Sequence, residues 1–107
     1  MRFHTLDLAL EAQRAIVPLV RRVQQHDRKL AQQLRDATNS FLLNLGEGAQ
    51  SDPGTRRARY SSAAGSASEV RVGLQAAVGW GYLGQKEVQG PSELLDRVIA
   101  SLWKLVR

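Results

Sequence analysis

Apolar residues along this chain recur at steps of three and four, and proline and glycine punctuate the recurrence. From about residue 5 to 24, Leu8, Ala12, Ala15, Leu19 and Val23 fall on one helical face. Pro18 lies within that run and predicts a kink, because proline removes a backbone donor and its ring crowds the preceding turn. Asp27 can cap a second helix, whose stripe passes through Leu30, Leu34, Ala37, Phe41, Leu45 and Gly48. Ser51 or Asp52 can cap a third, with Pro53 tolerated in its first turn. That helix reaches about Tyr82 on Tyr60, Ala63, Ala67, Val70, Leu74 and Ala77. A fourth, from Pro91 to about Val106, offers Leu95, Val98, Leu102 and Leu105. No run alternates with period two over a strand length, so no sheet is expected. Four amphipathic helices with short connections predict an all-α fold, an antiparallel up-down four-helix bundle. With 107 residues, the chain has room for a single domain, 1–107, around one modest core.

Two helices carry more apolar or small surface than one stripe requires. Leu43 points nearly opposite the buried stripe of the second helix, and Leu42 lies on its flank. Beside its own stripe the third helix bears Ser62, Ser66, Gly73 and Ala76, with Glu69 among them and Trp80 at the end. Small residues let a further helix approach closely, and an aromatic anchor beside them suits an interface. Leu42, Leu43, Gly73, Ala76 and Trp80 are therefore expected to form a self-association surface. The alternative is a third helix buried broadly within its own bundle, with Leu43 a scattered surface leucine.

The stretch "NLGEGA", Asn44 to Ala49, places an amide, a carboxylate and two glycines after an apolar run. It lacks the spacing of a phosphate-binding loop, and no strand precedes it. Gly46 and Gly48, like Gly65 and Gly73, read as close packing or helix termination. Pairing of the second and third helices could bring Glu47 and Glu69 towards each other and Asn44. A di-iron bundle needs glutamate followed three residues later by histidine, twice. Here Glu11, Glu47, Glu69, Glu87 and Glu93 are followed at that spacing by Arg14, Gln50, Val72, Gly90 and Asp96. His4 and His26 stand alone, so neither a metal site nor a catalytic triad is expected. Asn44, Glu47, Ser66 and Glu69 read instead as a polar network that fixes helix register, with partly buried carboxylates satisfied by neighbouring donors.

Hydrophobic content of 43% is that of a globular protein, and the absence of cysteine excludes disulfides, thiolate metal sites and a cysteine nucleophile. Asp7, Glu11 and Arg14 interrupt what would have to be the apolar core of a secretion signal. No stretch approaches the roughly 20 apolar residues that span a bilayer. A cytoplasmic location without membrane partners is the expectation. Net charge is +5, and twelve of the fifteen positive residues are arginine, which suits bidentate phosphate contacts. Arg21 and Arg22, and likewise Lys104 and Arg107, close helices, where cations are favoured. Arg56, Arg57 and Arg59 crowd the first turns of the third helix, where the dipole opposes them and Asp52 is the nearby counter-charge. An up-down bundle gathers Arg2, His4, Lys104 and Arg107 at this same end. Repeated around a ring, Arg56, Arg57, Arg59, Arg2, Lys104 and Arg107 would form a basic rim beside helix N-terminal amides, a geometry suited to phosphate oxygens. Tyr60 is the one obvious stacking candidate near it, so binding is expected to follow the backbone and tolerate sequence. The other reading is a solvated loop cluster.

"NLGEGAQ", "YSSAAGSASEVRVGLQAA" and "GWGYL" together resemble the bacterial four-helix-bundle family known as the 23S rRNA intervening-sequence proteins. The matching positions are Asn44, Glu47 and Gly48, then Ala64, Gly65, Ser66 and Glu69, then Gly81, Tyr82 and Leu83. "QLRDAT", Gln33 to Thr38, is similar to a further family stretch, with Asp36 where the family carries a second arginine. The resemblance covers essentially the whole chain and is strongest from about residue 30 to 83. It implies a compact bundle that assembles as a ring, with pentamers known, and no established enzymatic activity. Relatives include accessory proteins of diversity-generating retroelements, which bind nucleic acid and a reverse transcriptase. The expectation is thus a nonenzymatic ring-forming bundle without cofactor, binding RNA or DNA or a nucleoprotein partner. The alternative is a protein-interaction scaffold that binds no nucleic acid.

Overall fold

The computed structural model describes residues 4–106 and contains four α-helices: α1 His4–His26, α2 Arg28–Ala49, α3 Pro53–Gly79 and α4 Gln85–Val106. Each helix packs chiefly against two others, α1 on α2 and α4, and α3 on α2 and α4. The register is antiparallel, since residue numbers fall on one helix as they rise on its neighbour. Ser40 meets Ser66 and Gly48 meets Tyr60 between α2 and α3, while Thr5 meets Ser101 and Arg22 meets Glu87 between α1 and α4. The chain is an antiparallel up-down four-helix bundle, measuring 42 × 23 × 20 Å.

Local chemistry sets the turns. Asp27 is the one non-helical residue between α1 and α2; its N–H donates to Val23 O at 2.8 Å and its Oδ1 accepts from Leu30 N at 2.9 Å. One residue thereby ends one helix and caps the next. Asp52 caps α3, accepting from Thr55 N at 3.1 Å and from Thr55 Oγ1 at 2.9 Å, with Pro53 in the first turn. At the far end of α3, Gly81 has φ of +82°, which glycine adopts without penalty. Its N–H donates to Val78 O, and Tyr82 N–H reaches back to Ala77 O, each at 2.9 Å. That pair of bonds is a Schellman ending, and it supplies the physical role of "GWGYL". Tyr82 Oη then donates to Asp27 Oδ2 at 3.3 Å, tying this turn to the α1–α2 junction. Partial desolvation, followed by the charge and hydrogen bonding of Asp27, holds that phenol above the usual tyrosine value of about 10.

Two boundaries differ from the expected ones. The third helix ends at Gly79, three residues short of Tyr82, because the Gly81 turn intervenes. The fourth begins at Gln85 and runs through Gly90 and Pro91. Glu87 Oε1 accepts from Gly84 N–H at 2.9 Å, the acidic half of a capping box, and Glu87 also pairs with Arg22 of α1. Fully buried Val88 anchors the same turn to the core. Helix α1 likewise continues through Pro18; both Pro18 and Arg14 are exposed, so the carbonyl left without its donor meets water.

The core follows the expected stripes and widens them. Leu8, Ala12, Leu19 and Val23 are joined in α1 by Ala9, Ile16 and Val20, while Ala15 is half-buried. In α2, Leu34, Ala37, Phe41, Leu45 and Gly48 are buried, with Ala31 and Thr38 beside them and Leu30 only partly covered. The α3 stripe is buried throughout. Leu105 departs from the pattern, at 42% exposure on the last turn of α4. Each fully buried Leu or Phe contributes about 2 kcal/mol by leaving water.

Candidate nucleic-acid interface

One end of the bundle gathers the N-termini of α1 and α3 with the C-termini of α2 and α4, and it carries the described arginines expected to bind phosphate. Arg56, Arg57, Arg59 and Lys104 are all exposed there, whereas Arg2 and Arg107 lie outside the described residues. His4 and Lys104 share a shallow groove with Arg97 along α1 and α4.

The three arginines of α3 have separate tasks. Arg56 donates through Nε to Gly48 O at 3.3 Å and through Nη2 to Ser51 O at 2.9 Å. These carbonyls belong to the end of α2 and the turn that follows. Arg56 therefore sits against the negative end of α2 as well as the positive end of α3, which relieves the dipole penalty read from sequence. Arg59 pairs with Glu47 at 3.0 Å and donates to Asn44 Oδ1 at 3.2 Å. Glu47 joins Asp52 as a local counter-charge for this cluster. Arg57 makes no hydrogen bond or ion pair among the described residues, and the same holds for Lys104.

The helix N-terminus itself is occupied. Asp52 takes the Thr55 amide and hydroxyl, and those two hydrogen bonds, the amide foremost, lower its carboxyl below the ordinary value. The expected contact between phosphate and the free amides of α3 is thus met by the chain's own carboxylate, leaving the guanidinium groups as the donors. Tyr60 does not serve as a stacking ring: it is 4% exposed, packed beneath Gly48. Among the described residues, Trp103 on α4, 44% exposed, is the accessible aromatic at this end; lying just beside a regular apolar stripe, it carries no distinct signal in the sequence.

The polar residues expected to fix register divide. Asn44 Nδ2 donates to Ser40 O at 2.9 Å, and Ser40 Oγ shares a hydrogen bond with Ser66 Oγ at 2.8 Å. Through Arg59, Asn44 is linked to Glu47, so Asn44, Glu47 and Ser66 lie along one α2–α3 seam. Glu47 is more than half exposed rather than partly buried. Glu69 stands apart: it is exposed, and no partner engages it among the described residues. Antiparallel register sets Glu47 opposite the Arg59–Tyr60 turn, about 14 Å of helix rise from Glu69. Among the described residues, no group of three or more His, Asp or Glu is placed to hold a metal ion.

The expected self-association residues also divide. Leu43 is 64% exposed on the outer side of α2, beside a shallow depression lined by Leu42, Gly46, Glu47 and Arg59. Leu42 is partly packed on the core, and Ala76 is half-buried. Gly73 answers a demand inside the bundle, since a Cβ there would stand 2.6 Å from Leu34 Cδ2 of α2. Val72, unremarked in the pattern, is 65% exposed on the outer side of α3. From Ser62 onward the exposed residues of α3 are Ser62, Gly65, Glu69, Val72, Gln75 and Gly79, of which one is charged. Trp80 stands beyond this face, stacked on Tyr82 at the opposite end of the bundle.

Comparison with protein-family models, curated proteins and solved structures finds no match. The likeness carried by "NLGEGAQ" and "GWGYL" therefore rests on those residues, several of which now have local roles in the α2–α3 seam and the α3 ending. None of the described helices is long and apolar enough to cross a membrane.

Proposed function

We propose that this chain is a nonenzymatic cytoplasmic bundle that self-associates through the outer side of α3 and binds nucleic acid, or a nucleoprotein, at its arginine-bearing end. The observation that carries this reading is the division of α3 itself. Its first turns present Arg56, Arg57 and Arg59 to solvent, and the exposed positions that follow are small or apolar with one carboxylate. A face of that composition is suited to contact with another copy. Association through it would line up the arginine ends and concentrate positive charge along one rim. The family resemblance supports closure into a ring, of five copies, and a reverse transcriptase as a candidate nucleoprotein partner.

Titrating labelled RNA and DNA at several salt concentrations tests the reading. Binding should weaken steeply as salt rises, because each neutralised phosphate releases counterions. An Arg56/Arg57/Arg59→Ala triple variant should lose most of it. A second reading, a protein-interaction scaffold, is favoured by the commitment of Arg56 to carbonyls and Arg59 to Glu47. No binding even at low salt, with self-association retained, would decide for the scaffold.

A further inference from the structure

At the end of the bundle opposite the Arg56–Arg59 cluster, three rings stand in a column. Tyr82 is stacked with both His26 and Trp80, with centroids 5.2 Å and 6.4 Å away and interplanar angles of 5° and 17°. The column is built by backbone chemistry. The Gly81 turn carries the chain back from Trp80 to Tyr82, and the Tyr82–Asp27 hydrogen bond holds the phenol beside the end of α1. Trp80 is 72% exposed, so stacking on Tyr82 leaves most of the indole open. A large ring held parallel to a second ring and open to solvent is preorganised for another planar group.

The charge around the column is positive and unpaired. Asp27 is engaged by Leu30 N–H and Tyr82, and Glu87 by Arg22 and Gly84 N–H. Arg21, Arg28, Lys29 and Lys86 are exposed and form no ion pair among the described residues. Arg28 and Lys29 open α2, and Lys86 lies in the first turn of α4. A helix N-terminus disfavours cations, so helix stability does not account for these three.

We infer that this end is a ledge for single-stranded nucleic acid, with an unpaired base stacked on Trp80 and neighbouring phosphates held by Arg28, Lys29 and Lys86. Stacking on an exposed aromatic accepts any base, and a duplex hides the faces it needs. The inference rests on the nucleic-acid reading above and adds to it a preference for unpaired strands at a separate location.

The test uses the full chain with Trp103→Phe, which leaves Trp80 as the one tryptophan. An oligothymidine of about 12 nucleotides, within the site size of stacking proteins, and a duplex of equal length are titrated at low salt. Trp80 emission should be quenched by the single strand and not by the duplex. Trp80→Ala should weaken single-strand binding by about tenfold or more and leave duplex binding unchanged, while Trp80→Phe restores most of it. Unchanged helical circular dichroism would confirm that the variants fold, as expected for so exposed a side chain. If Trp80→Ala binds both forms as the parent does while the triple arginine variant loses binding, the ledge is wrong and the basic end stands. Absence of any binding by the unsubstituted chain overturns both. A concentration-dependent blue shift of Trp80 emission without oligonucleotide would show the indole covered by another copy, and would also overturn the ledge.

Discussion

Gly46 and Gly48 stand two positions apart in one short motif, and the bundle asks opposite things of them. A Cβ on Gly48 would lie 2.7 Å from Tyr60 Cε1 and 3.2 Å from Arg59 Cβ, and Tyr60 is buried with little room to swing. Gly48→Ala should destabilise the fold by about 1–3 kcal/mol through overpacking. A Cβ on Gly46 meets nothing within 4 Å. Gly46→Ala should stabilise α2 by about 0.5–1 kcal/mol, since alanine loses less backbone freedom in a helix. Urea denaturation of the two variants checks both signs. Asp52 has its own signature in acid. Its carboxyl is held below the ordinary value, so its contribution is complete above about pH 3.9 and is lost as pH falls through the lowered value. Asp52→Asn keeps a capping oxygen and removes the titration. Thermal melts should therefore show a shallower loss of stability between about pH 6 and pH 2 than in the parent.

Among the elements, α3 combines the most proposed roles, and neighbouring arginines in its first turns should separate them. Arg56 holds the carbonyls of Gly48 and Ser51, so Arg56→Ala should cost about 0.5–1 kcal/mol in denaturant unfolding. Arg57 touches none of these groups, and Arg57→Ala should leave stability within about 0.5 kcal/mol while weakening nucleic-acid binding. The beginning of α4 shows why local signals mislead here. Gly90-Pro91 reads as a start, yet Val88 enters the core and Glu87 grips both Gly84 N–H and Arg22. Tertiary burial and a capping bond together outweigh a glycine and a proline in the second turn. The expected end of α3 fails for a related reason: Trp80 and Tyr82 suit a helix by periodicity, but Gly81 adopts the left-handed turn between them.

For the whole molecule, the proposed self-association surface is the outer side of α3 with the neighbouring part of α2. Val72→Lys should reduce the sedimenting mass towards that of one chain, while leaving the helical signal unchanged, because Val72 is 65% exposed and outside the core. Unaltered mass in that variant would move the contact elsewhere. The apolar stripes of α2 and α3 were legible because a 3.6-residue period fixes which positions share a face. Leu43 was legible for the same reason, by pointing away from its stripe. Gly73 reads from sequence as part of an outward face, whereas its missing side chain is the space in which Leu34 of α2 seats. Glu69 reads from sequence as a neighbour of Glu47 because pairing of α2 and α3 leaves their register open, whereas the packed register sets Glu47 against Arg59, several turns from Glu69.

Periodicity, capping residues and the scarcity of strand patterns determined the helices, which depend on neighbours within a few positions along the chain, and the short connections between them determined their antiparallel order. Which cations remain unpaired, that Arg56 faces the end of α2, and that His26, Tyr82 and Trp80 form one column were decided only by tertiary structure. Those relations join residues from different helices, whose rotation and register are set by the packed core as a whole and not by any one segment.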